Sequence, residues 1–399
     1  MFDLERRIAE LDARGLGRRT RLIEGPQGAR VLVDGRPALL LCSNNYLGLA
    51  DHPRVRAAAA EAAMRWGVGA GASRLISGTM TVHQELERRL AEFKGRRAAL
   101  LFGSGYLANI GVVSALAARD QVVFSDELNH ASIVDGCRLS GAEVFVYRHL
   151  DTEHLHWGLE QAGQRAALIV SDSVFSMDGD LAPLAELAEL AARHRVRLVV
   201  DEAHATGTIG PGGRGAVAAA DLSEEVDAIV GTLGKALGSY GAFVACERSM
   251  ARYLTNKART FIFSTAPPVP AVAAATAALS VLSEQPALVD ALATAAAQLR
   301  VALRAEGLRV DDHGTHIIPL IIGEAVDAMR VCELALERGV FAQAIRPPTV
   351  PDGTARLRLA AMATHEPQEL SHAASVIATA VRDCEIELPA PAGGLRAAA

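Results

Sequence analysis

The strongest constraint on the fold is a series of short apolar runs that do not alternate with polar residues. They fall at 98–102, 121–124, 143–146, 166–170, 197–200, 228–230 and 241–245. Amphipathic stretches at 81–93, 106–117 and 183–193 lie between several of them. A strand that is apolar on both sides has to be covered on both sides. The spacing therefore predicts an α/β fold with a mostly parallel central sheet and helices on both faces. In such sheets a ligand sits beyond the carboxyl ends of the strands. Polar or glycine-containing loops begin there, at Gly103, Asp126, Asp172, Asp201 and Gly231.

With 399 residues the chain has room for more than one domain. Residues 1–45 read as an N-terminal arm. A helix over 3–14 would place Leu4, Ile8 and Leu11 on one face, and two short strands in 31–41 would flank Asp34-Gly35. Residues 46–285 read as the large domain. After Gln285-Pro286 the pattern changes to a long helix (287–304), apolar runs at 317–322, 340–345 and 356–360, and helices at 325–337 and 367–382. That predicts a smaller α+β domain over 286–385. The segment 386–399, rich in Pro, Ala and Gly, is expected to be a disordered tail.

Net charge is −6, and no basic block extends beyond pairs such as Arg18-Arg19 and Arg96-Arg97, which argues against nucleic acid as the main partner. The cysteines, Cys42, Cys137, Cys246, Cys332 and Cys384, form no CxxC pair, and the histidines show no metal spacing. No metal site is expected, and a reducing cytoplasmic compartment fits. Met1-Phe2-Asp3-Leu4-Glu5-Arg6-Arg7 is charged at once, unlike a signal peptide. The longest uncharged run, 260–283, contains Pro267, Pro268 and Pro270 and is mostly alanine. It reads as a buried helix with a proline entry, not a membrane span.

The candidate chemistry centres on Lys235 in Gly231-Thr232-Leu233-Gly234-Lys235-Ala236-Leu237-Gly238. An ammonium that is hard to solvate loses its proton more readily and can act as a nucleophile. Asp201 ends an apolar run, with His204 three residues on. Asp201 could simply cap a helix. Alternatively its carboxylate holds a protonated ring nitrogen, and together with Lys235 it points to Schiff-base chemistry on pyridoxal phosphate. Asp201-Glu202-Ala203-His204 also spells a helicase box, but no GxxxxGK[ST] loop accompanies it. Gly103-Ser104-Gly105-Tyr106-Leu107-Ala108 fits a phosphate-binding turn, and with Asp120 downstream a dinucleotide site is a rival reading. His130 follows a run and could stack on a flat ring. Arg346, held before Pro347-Pro348, suits a forked clamp on a carboxylate.

Five motifs occur in a set order: Asn44-Asn45-Tyr46-Leu47-Gly48; Ser73-Arg74-Leu75-Ile76-Ser77-Gly78 with His83; Ser176-Met177-Asp178-Gly179; Asp201-Glu202-Ala203-His204; and Gly231-Thr232-Leu233-Gly234-Lys235. Over about residues 15–382 the chain resembles the α-oxoamine synthases, pyridoxal-phosphate transferases of fold type I. The segments 345–351 and 353–359 look most like the members that join L-alanine to a pimeloyl thioester in biotin synthesis, and less like those that acetylate glycine. Tyr106 stands where many relatives have Phe, and Asn45 where many have Asp.

The resemblance implies that Lys235 carries pyridoxal 5′-phosphate as a Schiff base. Asp201 would hold the ring nitrogen, His204 and Ser176 the ring oxygen, and His130 would stack on the ring. Gly105, Tyr106 and Thr232 would cradle the phosphate, with Ser264 or Thr265 from a neighbouring subunit. Arg346 would bind the amino-acid carboxylate, and Arg18, Asn44, His130 and Thr349 would contact substrate. L-alanine, a pimeloyl thioester of coenzyme A or acyl carrier protein, and a second copy of the chain in a homodimer with shared active sites are the implied partners.

Overall fold

The computed structural model describes residues 3–389. The last ten residues of the segment expected to be disordered, 390–399, lie outside the described residues. The chain opens with a helix, Leu4–Ala13, capped by the Asp3 carboxylate, which accepts from the Arg6 amide. Three antiparallel strands follow: β1 (Ile23–Glu24), β2 (Arg30–Val33) and β3 (Arg36–Leu40). The β2–β3 turn needs two left-handed residues, and Asp34 and Gly35 supply them with φ of 50° and 78°.

All seven apolar runs become strands of one sheet. They are β4 (Ala98–Phe102), β5 (Val122–Asp126), β6 (Glu143–Tyr147), β7 (Ala166–Asp172), β8 (Arg197–Asp201), β9 (Ala228–Thr232) and β10 (Ala242–Cys246), in the order β4-β10-β9-β8-β7-β5-β6. Strands β5 to β9 run parallel, whereas β10 is antiparallel to both β4 and β9. The cause is local: residues 233–241 are too few for a crossover helix, so the chain returns antiparallel. Lys235 lies in that short return. The helix Gly105–Leu116 is apolar nearly all round, and Ala108, Val112, Val113 and Leu116 pack with Leu100, Phe102, Val123 and Val230. Each of the valine, leucine and phenylalanine side chains contributes about 1.5–3 kcal/mol by leaving water. Asn109 is the polar exception buried on that helix.

The C-terminal part supplies β11 (Ile317–Gly323), β12 (Val340–Phe341), β13 (Ala344–Ile345) and β14 (Ala355–Ala360). The apolar run 340–345, read as one strand, is split. Its first half pairs parallel with β3, and its second half pairs antiparallel with β14. The Gln343 carbonyl at the break accepts from the Arg358 amide. The uncharged run enters the helix Val269–Glu284 through Pro268, and Val269, Val272, Leu279, Val281 and Leu282 of that helix are buried. No single helix among the described residues is long and apolar enough to cross a membrane.

The described residues cluster into two compact units. One holds the chain up to Gly48, Met177–Gly179 and the chain from Asp290 on; the other holds Leu49–Ser176 and Asp180–Val289. The larger sheet belongs entirely to the second unit.

Candidate active site

Strand ends of the large sheet bring four of the sequence candidates together. Asp201 is the last residue of β8, and His204 lies in the turn that follows. Lys235 lies between β9 and β10, and its Nζ is 2.8 Å from His204 Nε2. The chain has three lysines. Lys257 is exposed at the end of a helix. Lys94 is fully buried and bonded to Glu202, to Thr206 Oγ1 at 2.8 Å and to the Arg214 carbonyl at 2.7 Å. Lys235 alone is both half-buried and beside an imidazole.

His130 caps the helix Ala131–Ser140 after β5. Its amide donates to Asp172 Oδ2 at 2.7 Å, and its Nδ1 lies 2.7 Å from Ser132 Oγ. Burial and the nearby Lys235 push the His130 imidazole below its ordinary value, against the pull of Asp201. The Asp201 carboxylate accepts from Asn109 Nδ2 at 2.6 Å and from the Ala203 amide at 2.7 Å. Directly behind it, Glu202 is fully buried and paired with Lys94, and it also accepts from the Val217 amide.

Gly105 opens the helix after β4, whose N-cap Ser104 accepts from the Leu107 amide at 3.2 Å. A Cβ added at Gly105 would meet nothing within 4 Å, so there is open space beside the first turn of the helix. A helix N-terminus with open space in front of it favours an anion. The Tyr106 hydroxyl donates to Asp135. Thr232 ends β9; its hydroxyl donates to the Gly241 carbonyl at 3.1 Å and accepts from the Gly234 amide. Ser176 is half-buried in the loop after β7. Ser264 and Thr265 are not drawn into this cluster: Thr265 is exposed and bridges to Ser73.

The dinucleotide reading of residues 103–108 fails on context. That fingerprint belongs to a parallel strand–helix–strand unit, whereas β4 is an edge strand paired antiparallel with β10.

The other substrate candidates lie in the first unit. Arg18, Arg346 and Thr349 line a cavity of about 240 Å³ together with Arg19, Arg21 and Glu333. Arg346 donates to the Gly15 carbonyl and, at 3.0 Å, to the Gly17 carbonyl, so the N-terminal arm supplies the acceptors for its fork. Arg18 reaches the Pro347 carbonyl at 3.3 Å. The Asn44 carboxamide oxygen accepts from the Tyr46 hydroxyl at 2.8 Å and from Arg358 at 3.2 Å.

Sequence reasoning missed Asn109 and Ser132, which touch Asp201 and His130, and marked Asp172 only as a strand end. A signal for Asn109 exists: it is a lone amide between Leu107-Ala108 and Ile110-Gly111-Val112-Val113, one turn past Gly105.

The donor set suits one kind of ligand. A buried carboxylate matches a protonated ring nitrogen, the amine beside an imidazole matches an aldehyde carbon, and the open helix start matches a phosphate. Pyridoxal phosphate carries all three.

Comparison with known proteins agrees with that match. The model of the family described as aminotransferase class I and II matches residues 36–377. The chain is 51% identical over 386 residues to the 8-amino-7-oxononanoate synthase of Anaeromyxobacter sp. (strain K), covering 97% of each chain. It is 53% identical over 374 residues to that of Geobacter metallireducens, covering 92% of this chain and 95% of the relative. Among solved structures, serine palmitoyltransferase from S. paucimobilis with bound pyridoxal phosphate superposes with a TM-score of 0.91 at 32% identity, over 96% of this chain and 97% of that one. The 8-amino-7-oxononanoate synthase from Francisella tularensis superposes with a TM-score of 0.76 at 26% identity, over 88% of this chain and 99% of that one.

Proposed function

The chain belongs to the aminotransferase class I and II family and uses pyridoxal 5′-phosphate, and from that premise we propose that it condenses L-alanine with a pimeloyl thioester. The products are 8-amino-7-oxononanoate, carbon dioxide and the free thiol, a step of biotin synthesis. The observation that carries the reading is identity near 50% along almost the whole chain with synthases of that name. Serine palmitoyltransferase superposes more closely in backbone, but at 32% identity. Backbone likeness speaks for the shared fold, and the higher identity speaks for the substrate.

When bound, the cofactor supplies an aldehyde that condenses with an amine and a ring that accepts the electron pair released from the α-carbon. Lys235 would hold the aldehyde at rest, and its freed amine would remove the alanine α-proton. His204, 2.8 Å away, would fix that amine and hold the ring oxygen, which accepts from it and from the Ser176 hydroxyl. Asp201 would keep the ring nitrogen protonated, and His130 would cover the ring face. The amides at Gly105 and Tyr106, and the Thr232 hydroxyl once turned from Gly241, would hold the phosphate. Arg346 would bind the alanine carboxylate and set the angle of the bond to be broken, which selects proton loss over early decarboxylation. For that its fork exchanges the Gly15 and Gly17 carbonyls for the carboxylate.

A homodimer completes this reading. Met64, Val68, Ile76 and Phe263 are large apolar side chains left 89%, 72%, 81% and 70% exposed. Ser264 and Thr265 follow Phe263 directly, so a second copy covering this surface would bring them to its own phosphate site. Coenzyme A and an acyl carrier protein both remain within the reading as thioester carriers, and a reducing cytoplasm suits the five free cysteines.

The deciding experiment pairs alanine, glycine and serine with pimeloyl, acetyl and palmitoyl thioesters and follows thiol release. Release with alanine and the pimeloyl thioester is expected. Preference for glycine with an acetyl thioester, or serine with a palmitoyl one, overturns the assignment while leaving the cofactor site intact.

A further inference from the structure

The amide nitrogen of Asn109 reaches two residues of the site at once. It donates to Asp201 Oδ2 at 2.6 Å and to Ser132 Oγ at 2.9 Å, so both of its protons are used. Asn109 is 1% exposed, and its Oδ1 is buried with no hydrogen-bond partner. Turning the amide over would set that oxygen against a carboxylate, so Asp201 fixes the orientation. Ser132, having accepted from Asn109, donates its hydroxyl hydrogen bond to His130 Nδ1 at 2.7 Å. The Ser132 amide points at the same ring nitrogen from 3.3 Å. A nitrogen that accepts from these donors carries no proton, so neutral His130 holds its proton at Nε2.

Asp201 has a second neighbour of the same sign. Asp172 and Asp201 are register partners on β7 and β8, and parallel partners project to one side of the sheet. Both are buried, and two buried carboxyls side by side do not ionise together. Lys235 and His130 face the pair, and Asp126 on β5 adds a further negative charge nearby. Asp201 receives the Asn109 and Ala203 donors, whereas the donor to Asp172 is the His130 amide. The better-solvated partner keeps the charge. Burial, and next the charge on Asp201, push Asp172 well above the ordinary carboxylate range, in the same sense.

We propose that Asn109 is a positioning residue that keeps the negative charge on Asp201, leaves the proton of the pair on Asp172 and holds His130 as its Nε2–H tautomer. It does so one helical turn from Gly105, so the same helix that offers its N-terminus to a phosphate also aims the ring-nitrogen carboxylate. The inference rests on the reading above only for the ring that Asp201 meets.

The test uses the full-length protein with and without pyridoxal phosphate, and no turnover assay. Infrared difference spectra of the wild type at neutral pH should show a protonated carboxyl that Asp172→Asn removes. Nitrogen-15 imidazole spectra should show His130 protonated at Nε2. Asn109→Ala should mix the two His130 tautomers and weaken pyridoxal phosphate binding about tenfold or more. Asp172→Asn, a neutral copy of a protonated carboxyl, should bind pyridoxal phosphate within about threefold of wild type. Absence of the carboxyl signal, a wild-type Nδ1–H tautomer, or unchanged tautomer and affinity in Asn109→Ala would each overturn the proposal. The wild-type spectra decide even if Asn109→Ala does not fold. A failed condensation assay leaves all of these readouts standing.

Discussion

Lys235 Nζ and His204 Nε2 lie 2.8 Å apart, tying the β9–β10 return to the turn after β8. With Lys235 as an ammonium, His204 accepts at Nε2, and its own proton sits at Nδ1. Removing the imidazole leaves the amine without its guide. His204→Ala should keep pyridoxal phosphate attached while kcat falls about 100-fold. Steady-state kinetics beside a cofactor titration check this, and loss of the cofactor with kcat intact would speak against it.

The Lys94–Glu202 pair, fully buried behind Asp201, makes a second prediction. Breaking such a pair from one side strands a charge in the interior. Lys94→Met should cost about 3–5 kcal/mol of stability in urea denaturation, and the double variant Lys94→Met, Glu202→Leu should recover most of it.

His149 makes a third, about pH. Its ring lies 2.8 Å from Asp126 Oδ1 and 2.9 Å from Asp180 Oδ2. Burial disfavours the imidazolium, but these two carboxylates prevail and its pKa is pushed up to about 10. A raised folded-state value means that the contribution is complete below about pH 6.5 and is lost as pH rises through about 10. His149→Gln should therefore be less stable by about 2 kcal/mol in acid, with the gap from wild type closing in alkali. Melting curves of both proteins across that range measure it, and a gap that widens with pH would refute the assignment.

A fourth concerns Arg346, whose fork now rests on the Gly15 and Gly17 carbonyls. Arg346→Lys keeps the charge but loses the fork, and should raise the KM for alanine about tenfold or more with little change in the KM for the thioester. Equal effects on both substrates would mean that Arg346 serves the fold and not the carboxylate.

Much of this is legible in the sequence. Non-alternating runs marked all seven strands of the large sheet because burial on both faces leaves little room for polar residues. The Asp34-Gly35 turn was legible from its demand for positive φ. The split of 340–345 was not: both halves are apolar, and only tertiary partners, β3 for one and β14 for the other, separate them. At the site, Asp201 stood out as a charge ending an apolar run, His204 by its place three residues on, and Lys235 as a lone lysine among glycines. Asn109 and Ser132 did not, since their part is to direct protons between groups that meet only in the folded chain. Nor could spacing reveal that Arg346 is held by the arm some 330 residues before it, which depends on a long-range contact.

The central claim is that Lys235 binds the cofactor covalently, and with three lysines in the chain it can be tested without ambiguity. Borohydride reduction of cofactor-saturated protein, followed by peptide mass mapping, should find one pyridoxyl adduct, on the peptide containing Lys235. An adduct at Lys94 or Lys257 instead, or none at all, would contradict the account.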